Sequence, residues 1–442
     1  MAGELERRLT TATLTTYGVG VIIGAGIYVL VGKIASIAGN GLWLAFVGAA
    51  LAALPTGLSY AELASRYPRS AGEAVFVDRA FGRDGLSFLV GFLILASGVA
   101  STAAVAHGFT SYLGDLLSLG PHLRPLVIAG FLVVLSLLNH RGIRETTWLN
   151  TTLTIASVGG LLVLVLAGLG RWGTVDVWTI APPEGPAPGT AAVLVAGMAL
   201  AFYAFIGFED ICNVAEEVRR PHRTIPRAII LSVVIASAVY VLLGITVVNA
   251  VPAAELTRSE VPLMLVVERL LPSWGSWWLS VIALFAVTNT ALFNLIMCSR
   301  MLYGMGRSGW IPRRFGVVHE RRKTPTLGVL TGLGLALAFA MTGALHVLAE
   351  ATNAVILLAF MAVDLSLLVV KRRRVPPDDP TLPFFSVPWV VPLLGLLSTG
   401  YLVTRFSPGA YLRAGGLLAV GGILFAIQRV ARRRREEPEP RE

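Results

Sequence analysis

Charge is what this chain has least of. Of its 442 residues only 14% are Asp, Glu, Lys or Arg, whereas 55% are hydrophobic and the mean hydropathy is +0.73. Soluble domains carry about 25% charged residues, so a soluble globular protein is excluded and a polytopic membrane protein is implied. Cysteine is almost as scarce. Cys212 and Cys298 are the only two, and both fall in predicted helices, so no disulfide framework is expected. Zinc-ligand spacing, a phosphate loop, a nucleophile elbow and a dinucleotide fingerprint are all missing. Nothing therefore argues for an enzyme, for ATP-driven pumping, or for a bound cofactor or metal. The opening MAGELERRLT lacks a small-residue cleavage site after a short apolar run, and no signal peptide is expected. The little charge present is unbalanced, at +10. Basic loops at a membrane surface account for that excess, and no nucleic-acid partner is expected.

What is there is apolar length. A helical span needs about 20 apolar residues, and twelve are expected: 11–34, 41–64, 85–114, 123–139, 147–169, 190–216, 226–250, 277–304, 326–343, 347–370, 386–405 and 409–429. Twelve spans place both termini on one side. With the termini in the cytoplasm, only Lys33, Arg124, Arg171, Arg258, Arg269, Arg405 and Arg413 lie outside, and the other 29 of the 36 lysines and arginines lie inside. The positive-inside rule thus predicts an inner (cytoplasmic) membrane protein with a cytoplasmic N-terminus (1–10) and tail (430–442). Of the outer loops, 170–189 reads as irregular, and 251–276 carries a helical pattern at Val261 to Leu271.

The first span holds four glycines in GVGVIIGAGIYVL, from Gly18 to Leu30. Glycine is among the residues least committed to helix, so unwinding is expected around Ala25. Bare backbone at membrane depth survives only where it lines a cavity or meets a ligand. The N–H groups of Ala25, Gly26 and Ile27 would then suit a carboxylate, and the carbonyls of Ile22 and Ile23, next to Gly24, an ammonium or a metal cation. The competing reading is helix packing, because Gly20-x-x-x-Gly24 is also a small-residue seam. Span 6 reads AFYAFIGFEDICNVAEEV, with Gly207 amid aromatics and two acids in an apolar run. Five spans separate the breaks. An odd count makes the repeats inverted, so 11–169 and 190–370 are expected to face each other across the midplane, with spans 11 and 12 (386–429) appended.

Glu209 is a candidate proton carrier or cation partner, because a charge at this depth is costly and usually pairs. It also reads as a helix cap, the reading preferred for Asp210. Tyr203, Phe205 and Phe208 read as a lid or a side-chain pocket, or as packing. In span 8, Thr288, Asn289, Thr290 and Asn294 offer oxygens to a sodium ion or to interhelical hydrogen bonds. His107 reads as a satisfied core residue. The loops after spans 2 and 6, which mix acids, arginines and prolines, read as membrane-surface anchors, the sharper alternative being an inner gate of ion pairs involving Glu62 or Glu216.

The stretches IIGAGIYVLVG (22–32), YAELASRYPRSAGEAVFV (60–77), FYAFIGFEDICNVAEEVRRPHRTIPRAI (202–229) and SRMLYGMGRSGWIPRRF (299–315) together resemble the amino acid–polyamine–organocation superfamily of secondary transporters. The likeness is nearest to bacterial relatives of the cationic amino acid transporters. It implies an all-α membrane protein with the leucine-transporter fold: a 5+5 inverted repeat with helices 1 and 6 broken. It also implies alternating access. The resemblance puts a substrate carboxylate on Ala25 and Gly26 and an amino group on the carbonyls of Ile22, Tyr203 and Ile206. Two departures stand out. The coupling lysine of span 5 is replaced by Ser157, and the span 3 glutamate by Ala96. Proton coupling, sodium coupling and exchange all stay open, with Ser157 a candidate for a sodium site. The expected function is secondary transport of an amino acid or amine, the alternatives being a polyamine carrier or a non-transporting sensor on the same fold.

Overall fold

The computed structural model of the chain describes residues 5–118, 120–178, 180, 189–259, 261–342, 345–373, 384–406 and 408–436. Part of the expected loop 170–189, Arg374 and the last six residues of the tail lie outside these. The described residues are helical, with no strand among them beyond one isolated bridge between Leu9 and Val218. In chain order the helices are α1 (Thr11–Ile22), α2 (Gly26–Ala38), α3 (Leu42–Arg66), α4 (Gly72–Phe81), α5 (Asp84–Leu117), α6 (Arg124–Arg141), α7 (Ile143–Gly168), α8 (Thr190–Phe202) and α9 (Asp210–Asn213). They continue with α10 (Pro221–Ala250), α11 (Ala253–Arg258), α12 (Pro262–Leu270), α13 (Gly275–Ser308), α14 (Thr326–Met341), α15 (Leu345–Arg372), α16 (Val390–Val403) and α17 (Pro408–Glu436).

Ten helical stretches among the described residues are long and apolar enough to cross a membrane. Two more are apolar but shorter, α14 with 16 residues and α16 with 14. At 1.5 Å per residue, α16 reaches roughly 21 Å, short of a hydrocarbon core of about 30 Å. Twelve full-length spans were expected, and α16 is where the difference is largest. It begins at Val390 rather than 386 because Pro388 restricts the residue before it and has no N–H to donate. The chain is a multi-pass membrane protein.

Local sequence sets the helix ends. Thr10 and Thr13 cap α1 reciprocally: Thr13 N–H donates to Thr10 Oγ1 at 3.3 Å, and Thr10 N–H to Thr13 Oγ1 at 2.9 Å, an arrangement that satisfies two orphan donors. At the other end of the scale, α13 runs 34 residues and stops at Gly309, whose φ of +79° suits a left-handed cap. The helix expected at 261–271 is α12. It lies against α2, so closely that a Cβ on Gly32 would sit 2.2 Å from Pro262 Cγ. Helix α11, six residues long, was too short to leave a periodicity.

The end of the bundle that carries the start of the chain is tied by polar contacts. Arg8 and Leu9 N–H groups donate to Glu217 O at 2.8 and 2.9 Å, and Arg219 N–H returns a bond to Leu9 O at 2.8 Å. Glu62 is fully buried and takes Arg66 at 2.8 Å and Lys371 at 2.7 Å. Glu216 takes Arg307 at 3.0 Å and the Ser70 N–H at 3.2 Å. Arg300, with no exposed surface, pairs with Glu217 at 2.9 Å. Glu62 and Glu216, which the sequence offered as alternatives for an ion-pair gate, are both in ion pairs. We call this end the terminal face.

Candidate functional site

Helix α1 stops at Ile22, whose successor Ile23 leaves the helical region (φ −84°, ψ 54°), and α2 resumes at Gly26. The second interruption is longer. Helix α8 ends at Phe202, a 3-10 turn covers Tyr203–Phe205, Ile206 is extended, and α9 starts at Asp210. Gly207 sits between them with φ +131°, a conformation open to glycine and strained for other residues. The two breaks touch: a Cβ on Gly207 would lie 2.5 Å from Val21 Cγ1 and 3.1 Å from the Val21 carbonyl carbon.

Three groups hold the breaks open. The Tyr240 hydroxyl, from α10, lies 2.6 Å from Ile22 O and 2.9 Å from Ala204 O, one O–H shared between the last carbonyl of α1 and a carbonyl of the 3-10 turn that follows α8. Thr290 Oγ1, from α13, accepts the Ala25 N–H at 3.2 Å. Glu209 Oε2 accepts the Gly207 N–H at 2.7 Å. Without such partners an unwound, buried backbone group costs several kcal/mol in lipid. Replacing Tyr240 by Phe leaves both carbonyls short of their donor, and a loss of about 1–3 kcal/mol of stability is expected, read as a lower melting temperature in detergent.

Between the breaks lies a cavity of about 450 Å³. Of the residues singled out from sequence, Ile22, Gly24, Ala25, Gly26, Tyr203, Ile206, Gly207, Glu209 and Asn294 line it. Asp210 and Thr290 do so as well. The first N–H groups of α2, at Gly26 and Ile27, have no intrahelical partner by geometry, and no side chain caps that helix. Gly26 is exposed to the cavity. The seam reading of the glycines also holds. A Cβ on Gly20 would meet Thr154 Oγ1 at 2.1 Å and Asn289 Nδ2 at 2.6 Å, so the same run packs α1 on α7 and α13 and opens the cavity one turn later.

The remaining sequence candidates do not reach the cavity. Ile23 and Ile27 have buried side chains in the core. Phe205 is buried against Tyr240, ring centroids 5.3 Å apart, because the 3-10 turn rotates it away from Tyr203 and Ile206. Asn289 donates to Thr154 Oγ1 at 2.9 Å and accepts from Asn150 Nδ2 at 3.0 Å. Ser157 donates to Thr154 O at 3.2 Å. These are α7–α13 and intrahelical bonds, and Thr288, partly buried, is outside the cavity lining. His107 is satisfied by Ala340 O at 2.8 Å. Sequence reasoning missed Tyr240, which sits mid-helix in an apolar run with no local signal. It also missed Ser97 and Ser101 of α5; Ser101 accepts from Asn294 Nδ2 at 2.9 Å across the cavity wall. Polar residues in an otherwise apolar span were the available clue.

Two carboxylates, Glu209 and Asp210, line the cavity, and no Lys, Arg or His does so among the described residues. Glu209 already holds a backbone N–H. Asp210 is 6% exposed and takes no side-chain hydrogen bond from a described residue. A helix N-terminus and a carboxylate in one lining offer the cavity groups of opposite polarity.

The family model described as "Amino acid permease" matches residues 9–426. A branched-chain amino acid permease of Bacillus subtilis (strain 168) is 28% identical over 96% of this chain and 93% of its own length. The cationic amino acid transporter 4 of Mus musculus is 31% identical over 86% of this chain, which spans 62% of that longer protein. A methylthioribose transporter of Bacillus subtilis (strain 168) is 27% identical over 90% of this chain and 87% of its own length.

Proposed function

This chain belongs to the amino acid permease family, and from that premise we propose that it carries an amino acid across the cytoplasmic membrane by alternating access around the cavity between the two breaks. The observation that carries this reading is the pairing of an uncapped helix start at Gly26 with the unengaged Asp210 carboxylate on the same cavity. A zwitterion satisfies both: its carboxylate meets the helix start at Gly26, and its ammonium meets Asp210 and the main chain near Ile206. Ala25 and Ile22 play a smaller part than the sequence suggested, because Thr290 and Tyr240 already hold them. In this reading α14 and α16 also cross the bilayer, which makes twelve spans. Residues 11–169 and 190–370 are the inverted repeats, and both termini are cytoplasmic, as the basic loops favour. The coupling ion is a proton, since Asn289 and Ser157 commit their side chains to helix contacts. Glu209 and Asn294 stay on the cavity wall.

Gly26→Leu tests the site. A Cβ there meets only Leu30 Cδ1, at 3.7 Å, so the fold accepts a side chain that the ligand does not. Uptake of L-isoleucine and L-arginine into proteoliposomes is expected to fall on the order of a hundredfold, with membrane levels unchanged. Normal uptake of whichever of these the wild type carries would refute the assignment. A second reading, transport of a carboxylate-free amine, is favoured by one observation: two acids and no base line the cavity. Competition by putrescine at least as strong as that by the amino acids decides for it.

A further inference from the structure

Below the cavity, toward the terminal face, lies a polar pair that the site does not use. Glu73 stands on α4, outside the helices long enough to cross the membrane, and has no exposed surface. The first turn of α4 is pressed onto α9: a Cβ on Gly72 would sit 2.8 Å from Cys212 Cβ. Asn213, at the end of α9 and also fully buried, donates Nδ2 to Glu73 Oε1 at 3.4 Å. That one bond leaves Glu73 Oε2 and Asn213 Oδ1 with no donor among the described residues. Two buried acceptors without a donor are costly. One proton on Glu73 turns Oε2 from an unpaired acceptor into a donor and removes the buried negative charge.

The surroundings favour that proton. Tyr60 on α3, Glu209 at the break, and Asp210 and Cys212 on α9 are the titratable groups within electrostatic reach of Glu73. Asp364 of α15 stands behind Tyr60. None of these carries positive charge. On α4 itself the charged groups are Asp78 and Arg79. Just past α15, Arg373 donates to the carbonyls of Arg79 and Ala80 at the far end of α4. Arg307 of α13 is held by Glu216. Burial, with the Glu209 charge added, pushes the Glu73 carboxyl up to about 8 against the pull of its hydrogen bonds to the backbone and Asn213.

We propose that Glu73 and Asn213 form a proton-binding site, separate from the substrate cavity and linked to it through Asp210, which lines the cavity and lies on the same short helix as Asn213. Glu73 takes up one proton on Oε2 and gives it back to water. An ammonium at Asp210 and a proton at Glu73 offset the same cluster of negative charge, so each weakens the other by the same factor. Ligand binding therefore expels the proton. This last linkage rests on the reading of the cavity as an amine-binding site, whereas the proton site does not.

The test is an infrared titration of the full-length protein in detergent, following the carbonyl band of protonated carboxylic acids. The wild type is expected to lose one band as pH rises through about 8, and Glu73→Gln to lack it. Asn213→Ala removes a bond to the charged form, so the midpoint of the band moves upward. A band unchanged in Glu73→Gln, or a midpoint unmoved in Asn213→Ala, overturns the proposal. Melting curves give an independent readout. The folded protein holds this proton between the unfolded carboxyl value and about 8, so the Glu73 contribution to stability declines across that window and is flat above it. The decline is expected to be shallower in Glu73→Gln, and an unchanged slope there counts against the site. Adding L-arginine or putrescine is expected to lower the midpoint. A Glu73-dependent band in a protein that gives no counterflow with any amino acid or amine supports the proton site and fells the transport reading.

Discussion

Arg300→Met is expected to leave little folded protein in the membrane. The guanidinium has no exposed surface and is fully engaged: Nε and one terminal nitrogen meet the two oxygens of Glu217 at 3.3 and 2.9 Å. The other terminal nitrogen donates to Asn139 Oδ1 at 2.6 Å and Ser299 Oγ at 2.8 Å. Burial pushes the Glu217 carboxyl above its ordinary range even with Arg300 pulling it down. Removing one partner of such a pair leaves an uncompensated buried charge and costs about 3–5 kcal/mol, a large share of a marginal total. The loss is read as a drop in the amount of monodisperse protein and in its melting temperature. Pairing Arg300→Met with Glu217→Gln removes both charges and is expected to recover most of the loss. If the double variant is as poor as the single one, the damage lies in packing and not in the orphaned acid.

Gly207→Val is the second large effect. The residue has φ +131°, and its missing side chain is the space that Val21 occupies. Backbone strain adds roughly 1–3 kcal/mol, and overpacking adds a similar amount. The two breaks are forced apart, and uptake is expected to fall on the order of a hundredfold in whatever protein still folds. Gly57→Ala is the matched control. Its new Cβ meets Ile229 and Phe208 at 3.7–3.8 Å, ordinary contact, in the interior of α3, where alanine is worth up to about 1 kcal/mol over glycine. Stability of that variant is expected to hold or rise.

Much of this was legible in the sequence because glycine and charge are rare where they matter. Four glycines in one apolar run announced an interruption that the structure places at Ile23–Ala25. The acids after Gly207 stood out against lipid-compatible neighbours, and both line the cavity. The rest was hidden for physical reasons. Tyr240 acts across more than two hundred residues of chain separation on Ile22, and no local pattern marks a hydroxyl destined for a distant carbonyl. Phe205 was placed with Tyr203 by proximity in sequence, but a 3-10 turn advances side chains by 120° per residue rather than 100°, and it points to the core. Glu73 lies in PRSAGEAVFVDRAFG, part of a loop that reads as a membrane-surface anchor, because burial of a loop helix under a broken span leaves no periodic trace.

The Leu9–Val218 contact has a mechanical corollary. It hitches the root of the first interrupted helix to the strand of chain that leaves the second, through three main-chain hydrogen bonds. The two half-helices nearest the terminal face are thereby yoked, and neither swings without dragging the other or tearing that strap. A motion that opened the cavity at the terminal face would have to carry both halves as one crank or break those three bonds.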